Sequence, residues 1–158
     1  SLFKAKVCHP SAIAADGWHT LALKSDGTVW ACGWNEYGQL GDGTTIGKST
    51  PAQVIGINNV AYIAAGGCWN VVLKNDGTVW AWGMNNYGQL GDGTTITRLT
   101  PIQNVNISFV IAIAPRGVYA IAIKSDGTVW GWGNNENGQL GDGTTTNRLT
   151  PVPVFLIL

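Results

Sequence analysis

A chain of 158 residues with 45% hydrophobic side chains has enough apolar material for a packed core, which excludes intrinsic disorder. Nine basic and nine acidic side chains cancel, leaving no electrostatic reason to expect nucleic acid or an anionic membrane as a partner. Twenty-two glycines and a charged fraction of 11% describe a turn-rich chain kept soluble mainly by Asn, Thr, Ser and Gln.

From the start, Ser1-Leu2-Phe3-Lys4-Ala5-Lys6-Val7 lacks the basic region, long apolar run and cleavage site of a signal peptide. No stretch approaches the length of a membrane-spanning helix, so the chain reads as soluble, with no membrane partner, and as a candidate piece of something longer. Cys8, Cys32 and Cys68 have no metal-ligand spacing and cannot all pair with one another. They read as small buried apolar residues.

An apolar run opening at Ile13-Ala14-Ala15-Asp16-Gly17 is followed by Leu21-Ala22-Leu23 and by Lys24-Ser25-Asp26-Gly27-Thr28-Val29-Trp30. This last block returns at Lys74–Trp80 and Lys124–Trp130, a constant spacing of 50 residues. Gly38-Gln39-Leu40-Gly41-Asp42-Gly43-Thr44-Thr45 recurs unchanged at 88–95 and 138–145, and Thr-Pro closes each unit at Pro51, Pro101 and Pro151. Repeats 1–50, 51–100 and 101–150 therefore make one repeat domain, with 151–158 as the opening strand of a further unit.

Within a unit the β-branched and aromatic runs Asn70–Lys74 and Thr78–Trp82 predict two strands. The Asp76-Gly77 between them fits a two-residue turn, where glycine takes positive φ at no steric cost. Val60–Ala65 predicts a third strand and Pro51–Ile57 a fourth, outermost one, because proline is tolerated at a sheet edge. Middle strands as apolar as Leu21-Ala22-Leu23 and Ala120-Ile121-Ala122-Ile123 predict sheets covered on both faces. Four-stranded antiparallel sheets stacked on copies of themselves predict an all-β propeller; a β-solenoid, whose rungs are shorter and lack an internal hairpin, fits less well.

Asp76-Gly77-Thr78-Val79-Trp80-Ala81-Trp82-Gly83 with Gly88-Gln89-Leu90-Gly91, preceded in the first copy by Gly17-Trp18-His19-Thr20-Leu21-Ala22-Leu23, closely resembles the regulator-of-chromosome-condensation repeat. The resemblance spans nearly the whole chain. It implies one four-stranded blade per repeat, usually seven blades to a ring, and binding through loops on a ring face. Three repeats are part of that ring, so either the natural protein continues or two copies close a six-bladed homodimer.

No residue stands out as catalytic. The Gly41–Thr45 loop lacks the Gly-Lys-Ser/Thr ending of a phosphate loop and the spaced carboxylates of a calcium loop, so it reads as a turn. Asp26, Asp76 and Asp126 read as turn-capping residues, and His9 and His19 as structural histidines with no nucleophile beside them. Neither a metal nor a cofactor is expected.

Positions that differ between copies are not demanded by the shared fold. Trp18, His19, Trp34, Glu36, Tyr37, Trp69, Met84, Asn86, Tyr87 and Tyr119 are accordingly the candidate partner-binding residues, since aromatic and Met side chains at loop positions suit a protein interface. Trp18, Trp69 and Tyr119 serve equally well as fillers between blades. The leading expectation is a non-catalytic protein-interaction scaffold. Guanine-nucleotide exchange on a small GTPase, the activity of the family's name-giving members, lacks the inserted hairpin it would need. Glycan binding draws only on the eight tryptophans. Composition leans slightly toward a secreted or cell-surface bacterial setting without excluding the cytoplasm.

Overall fold

The computed structural model describes residues 10–155; His9, Cys8 and the extreme ends lie outside them. Its twelve strands form three separate sheets with no helix among the described residues. The first holds β1 (Pro10–Ala15), β2 (His19–Lys24), β3 (Val29–Gly33) and β4 (Lys48–Gln53). The second holds β5 (Val60–Ala65), β6 (Trp69–Lys74), β7 (Val79–Gly83) and β8 (Arg98–Gln103), and the third β9 (Val110–Arg116), β10 (Tyr119–Lys124), β11 (Val129–Gly133) and β12 (Arg148–Pro153). Each sheet is an antiparallel meander in chain order.

The β2–β3 hairpin shows why its sequence repeats. Lys24 N–H donates to Thr28 O (2.9 Å) and Gly27 N–H to Lys24 O (2.9 Å), so the loop has three residues rather than the expected two. Only Gly27 has positive φ (79°), which marks a turn closed by a glycine bulge. Asp26 Oδ1 accepts from Thr28 N–H (3.0 Å) and Thr28 Oγ1 (2.6 Å), and Thr28 Oγ1 accepts from the Trp30 indole (3.3 Å). The Lys24 ammonium lies 3.9 Å from the centre of the Trp30 ring. The same Asp–Thr–Trp relay recurs at 76, 78, 80 and at 126, 128, 130.

The Thr-Pro strands lie at a sheet edge, as the proline requires, but each belongs to the sheet before it. Trp30 pairs with Gln53 and Gly33 with Lys48, and the register shift between these pairs accommodates Pro51. The sheets therefore run 10–53, 60–103 and 110–153, offset from the boundaries expected at 50 and 100. Residues 148–153 close the third sheet instead of opening a further one, because the loop after β11 returns the chain directly onto β11.

Side-by-side stacking of the sheets builds two cores. Leu21, Leu23, Val29, Leu40 and Val54 of the first sheet meet Val60, Ile63, Val72 and Trp82 of the second. Trp69, Val71, Leu73, Val79 and Leu90 of the second meet Val110, Ile113, Ala122 and Trp132 of the third. Strands β1, β5 and β9 converge, leaving β4, β8 and β12 outermost. That is the radial arrangement of propeller blades. Alternate residues of β6 serve opposite neighbours, so its sequence is apolar and buried nearly throughout. Strands β2 and β10 alternate buried with half-buried or exposed residues and, among the described residues, are covered on one face only, unlike the two-faced burial expected of them.

Candidate interaction face

The connections between the first and second strands and between the third and fourth strands of every blade lie at one end of the sheets, and the same backbone bond ties them together. Trp34 N–H donates to Trp18 O, Met84 N–H to Cys68 O and Asn134 N–H to Val118 O, each at 3.0 Å. Positions 18 and 34, and their equivalents, are thereby neighbours in all three blades. What occupies them differs from blade to blade.

In the first blade the occupants are aromatic. The Trp18 and Trp34 rings are 5.6 Å apart and tilted by 50°, and Tyr37 meets Trp34 edge-on at 5.6 Å. Trp18 is 65% exposed, so this cluster is a surface feature and not a blade filler. Trp34 and Tyr37 are half-buried, and Glu36 between them is exposed. The second blade offers Cys68, half-buried Met84 and Tyr87, and exposed Asn86; the third offers Val118, Asn134 and Asn137. The face thus grades from aromatic to sulfur-containing to polar.

His19 and Trp69, two of the candidate contact residues, are buried and join blades instead. Asn70 Nδ2 donates to Gln39 O (2.7 Å), which leaves Asn70 Oδ1 to accept from His19 Nε2 (2.6 Å). His19 Nδ1 lies 3.0 Å from Asp16 Oδ1. Trp69 is fully buried, and its indole donates to Gly117 O (2.6 Å) of the next blade. A Cβ at position 66 would stand 2.1 Å from the Trp69 indole nitrogen, so the large ring requires Gly66. Tyr119 is half-buried at the start of β10 and is not part of the aromatic cluster on the first blade.

Asp16 is the residue that reading the repeats overlooked. Its Oδ1 accepts from the amides of Trp18 (2.7 Å) and His19 (2.9 Å), and its Oδ2 from the Cys68 amide (3.0 Å) across the blade boundary. Burial pushes its pKa up, but these three N–H groups and His19 more than offset that, and the carboxyl is held below its ordinary value. Burial and the Asp16 charge raise the Cys68 thiol. The signal was available: Asp16, Gly66 and Arg116 share one position and differ, as the residues three places on do.

The glycine-rich loops are occupied internally. Asn35, fully buried, donates to Thr44 O (3.0 Å) and Ile46 O (3.1 Å) and accepts from Leu40 N–H (2.8 Å). Asp42 Oδ1 accepts from Thr44 N–H (3.0 Å) and Oγ1 (2.8 Å), while Oδ2 pairs with Lys48. Burial opposes ionisation of Asp42, yet Lys48 and Thr44 outweigh it and bring its pKa to about 2. Asn85, Asp92 and Arg98 repeat the arrangement, as do Asn135, Asp142 and Arg148. An Asp so engaged holds its loop closed, which explains the strict repetition without a ligand.

Stacked four-stranded blades with loop networks of this kind define a β-propeller repeat protein. The model of the "Regulator of chromosome condensation (RCC1) repeat" matches residues 26–73, 76–114 and 126–157, and a second model of that repeat matches 11–39 and 60–89. The chain belongs to this family. Over 39 residues, 24% of this chain and 9% of the relative, it is 49% identical to the ultraviolet-B receptor UVR8 of Arabidopsis thaliana. Human WBSCR16 superimposes with a TM-score of 0.79 at 26% identity over 90% of this chain. Yeast RCC1 (Prp20), in a structure with Kap60, gives 0.80 at 21% identity over 93%. A further structure, of Prp20p from Saccharomyces cerevisiae, a protein with binding properties to Gsp1p and histones, gives 0.76 at 20% over 96%. The chain spans 37 to 40% of these solved propellers.

Proposed function

We propose that this chain is a non-catalytic protein-interaction module that receives its partner on the face carrying the β1–β2 and β3–β4 connections. The observation that carries this reading is the Trp18–Trp34–Tyr37 cluster, in which exposed Trp18 packs on half-buried Trp34 and Trp34 on half-buried Tyr37. Contiguous aromatic side chains rimmed by polar ones are the composition of an interface hot spot. Glu36 and Asn86 supply the polar rim, and Met84 and Tyr87 extend the surface onto the second blade. Protein complexes formed by the propeller relatives, Kap60 with Prp20 among them, favour a protein as the ligand class. Exchange on a small GTPase is the weaker reading, because the β2–β3, β6–β7 and β10–β11 hairpins are all minimal three-residue loops.

The test is affinity capture by the intact chain, compared between the unaltered protein, Trp34→Ala and Tyr37→Ala. Lys124→Ala on the hairpin at the opposite end of the blades serves as control. Loss of the same captured protein in the two cluster variants but not in the control supports the proposal. Equal capture by all four chains overturns it. A glycan-array signal that Trp18→Ala removes would make the cluster a sugar platform instead.

A further inference from the structure

Charge is divided between the two ends of the blades. At the hairpin end, Lys24, Lys74 and Lys124 lie over the rings of Trp30, Trp80 and Trp130. At the interaction face, Lys48, Arg98 and Arg148 are engaged with Asp42, Asp92 and Asp142 inside the glycine-rich loops. Glu36 and Glu136 are exposed at this face and, among the described residues, have no ion-pair partner. Arg116, the remaining basic residue at this end among those described, belongs to the third blade.

The first blade alone puts a carboxylate among aromatic rings. Glu36 stands in the chain between Trp34 and Tyr37, and Trp18 packs on Trp34. The second blade has Tyr87 and Met84 beside the amide Asn86, and the third has Glu136 beside Asn134 and Asn137. Access to positions 34, 36 and 37 does not depend on a neighbouring blade: in the middle blade, stacked on both sides, Met84 and Tyr87 are still half-buried and Asn86 exposed.

Backbone and loop bonds fix the arrangement in advance. Asn35 donates to Thr44 O (3.0 Å), Tyr37 N–H donates to Gln39 Oε1 (3.0 Å), and Asp16 Oδ1 accepts from Trp18 N–H (2.7 Å). Residues held in this way lose little freedom when a ligand arrives. Aromatic faces carry negative potential and attract a cation. A guanidinium suits the cluster better than an ammonium, because it is flat, weakly hydrated and able to fork onto a carboxylate while stacked on an indole.

We infer that Trp18, Trp34, Tyr37 and Glu36 form an arginine-binding site, in which the guanidinium stacks on Trp18 and pairs with the Glu36 carboxylate, so that the partner brings an exposed arginine on a basic segment. The inference rests on the reading of this face as a protein-interaction surface and adds the chemistry of the ligand.

Nuclear magnetic resonance titration of the isotope-labelled chain with a hexa-arginine peptide, followed on the tryptophan indole N–H signals, tests it. Hexa-citrulline keeps the shape without the charge, and hexa-lysine keeps the charge without the fork. The signals of Trp18 and Trp34, assigned from Trp18→Ala and Trp34→Ala, should move, and the arginine peptide should bind about tenfold more tightly than either control. Glu36→Gln and Trp18→Ala should each weaken it about tenfold. Glu136→Gln removes an equal charge with no ring beside it and should change binding by less than about twofold. All three altered side chains are exposed, and unchanged amide spectra elsewhere in the chain check that the variants fold. Equal binding of the citrulline or the lysine peptide overturns the inference, as does an equal loss in Glu36→Gln and Glu136→Gln. The capture experiment separates this from the reading of the face. Retention of the captured protein by Trp34→Ala fails the face itself, whereas loss in Trp34→Ala with retention in Glu36→Gln fails only the arginine.

Discussion

The middle blade and its neighbours have nearly the same repeat sequence but not the same surroundings. In β6 the run Trp69-Asn70-Val71-Val72-Leu73 is buried residue after residue, because odd positions face the third blade and even positions the first. In β2 Thr20 and Ala22 face away from the second blade, and in β10 Ile121 and Ile123 do. The repeat specifies a blade that is complete only between two others, the behaviour of a one-dimensional array in which boundaries supply much of the stability.

Substitutions at the tryptophan position should break this comparison most sharply. Trp82→Ala empties a fully buried site and leaves the Gln39 carbonyl without the indole donor, so a loss of about 3–5 kcal/mol is expected in chemical denaturation. Cys32→Ala, at the same position of the first blade, should change the midpoint by no more than about 0.5 kcal/mol. Comparable losses at both would mean that the first blade is covered in solution.

At the interaction face the contrast is between first and second blades. Trp34→Ala should cost partner binding about 2 kcal/mol or more and Tyr87→Ala less, with calorimetric melting nearly unchanged in both. A reversed order would move the centre of the interface onto the second blade.

Acid should reach all three loop networks. Asp42 and Asp142 are held at about 2, below the ordinary carboxylate value, and Asp92 is lowered in the same direction. For a depressed carboxyl, the stabilisation is fully present above the unfolded value near 4 and is lost as pH falls toward about 2. Denaturation midpoints followed across that window should fall, and Asp42→Asn with Asp142→Asn should flatten the decline.

A small gain rather than a loss is expected at Cys68, which holds left-handed backbone (φ 64°), unlike Trp18 and Val118 at the same position of the other blades. Cys68→Gly should raise stability by about 1 kcal/mol by relieving that conformation. An unchanged melting point would mean that the amide bond to Asp16 already offsets the strain.

The 50-residue period, the strand identities, the Asp–Thr–Trp hairpin and the edge position of the Thr-Pro strand were legible in the chain because the interactions behind them are local. Asp26, Thr28 and Trp30 lie within four residues of one another, and Asn35 reaches only as far as Ile46. The sheet boundaries were not legible in the same way: the loop after β3 returns β4 to β3, a geometric fact that composition does not carry.

Exposure was decided by tertiary structure. Trp18 and Trp69 looked alike as variable aromatic residues, yet one is on the surface and the other is sealed against Gly117 of the neighbouring blade. Cys32 and Trp82 share a repeat position, but only stacking shows that one faces no blade among the described residues and the other closes a core. Local sequence determines a blade because backbone pairing and turn capping act over a few residues. Which side of the blade is dry depends on its neighbours, whose contacts come from residues about fifty positions away.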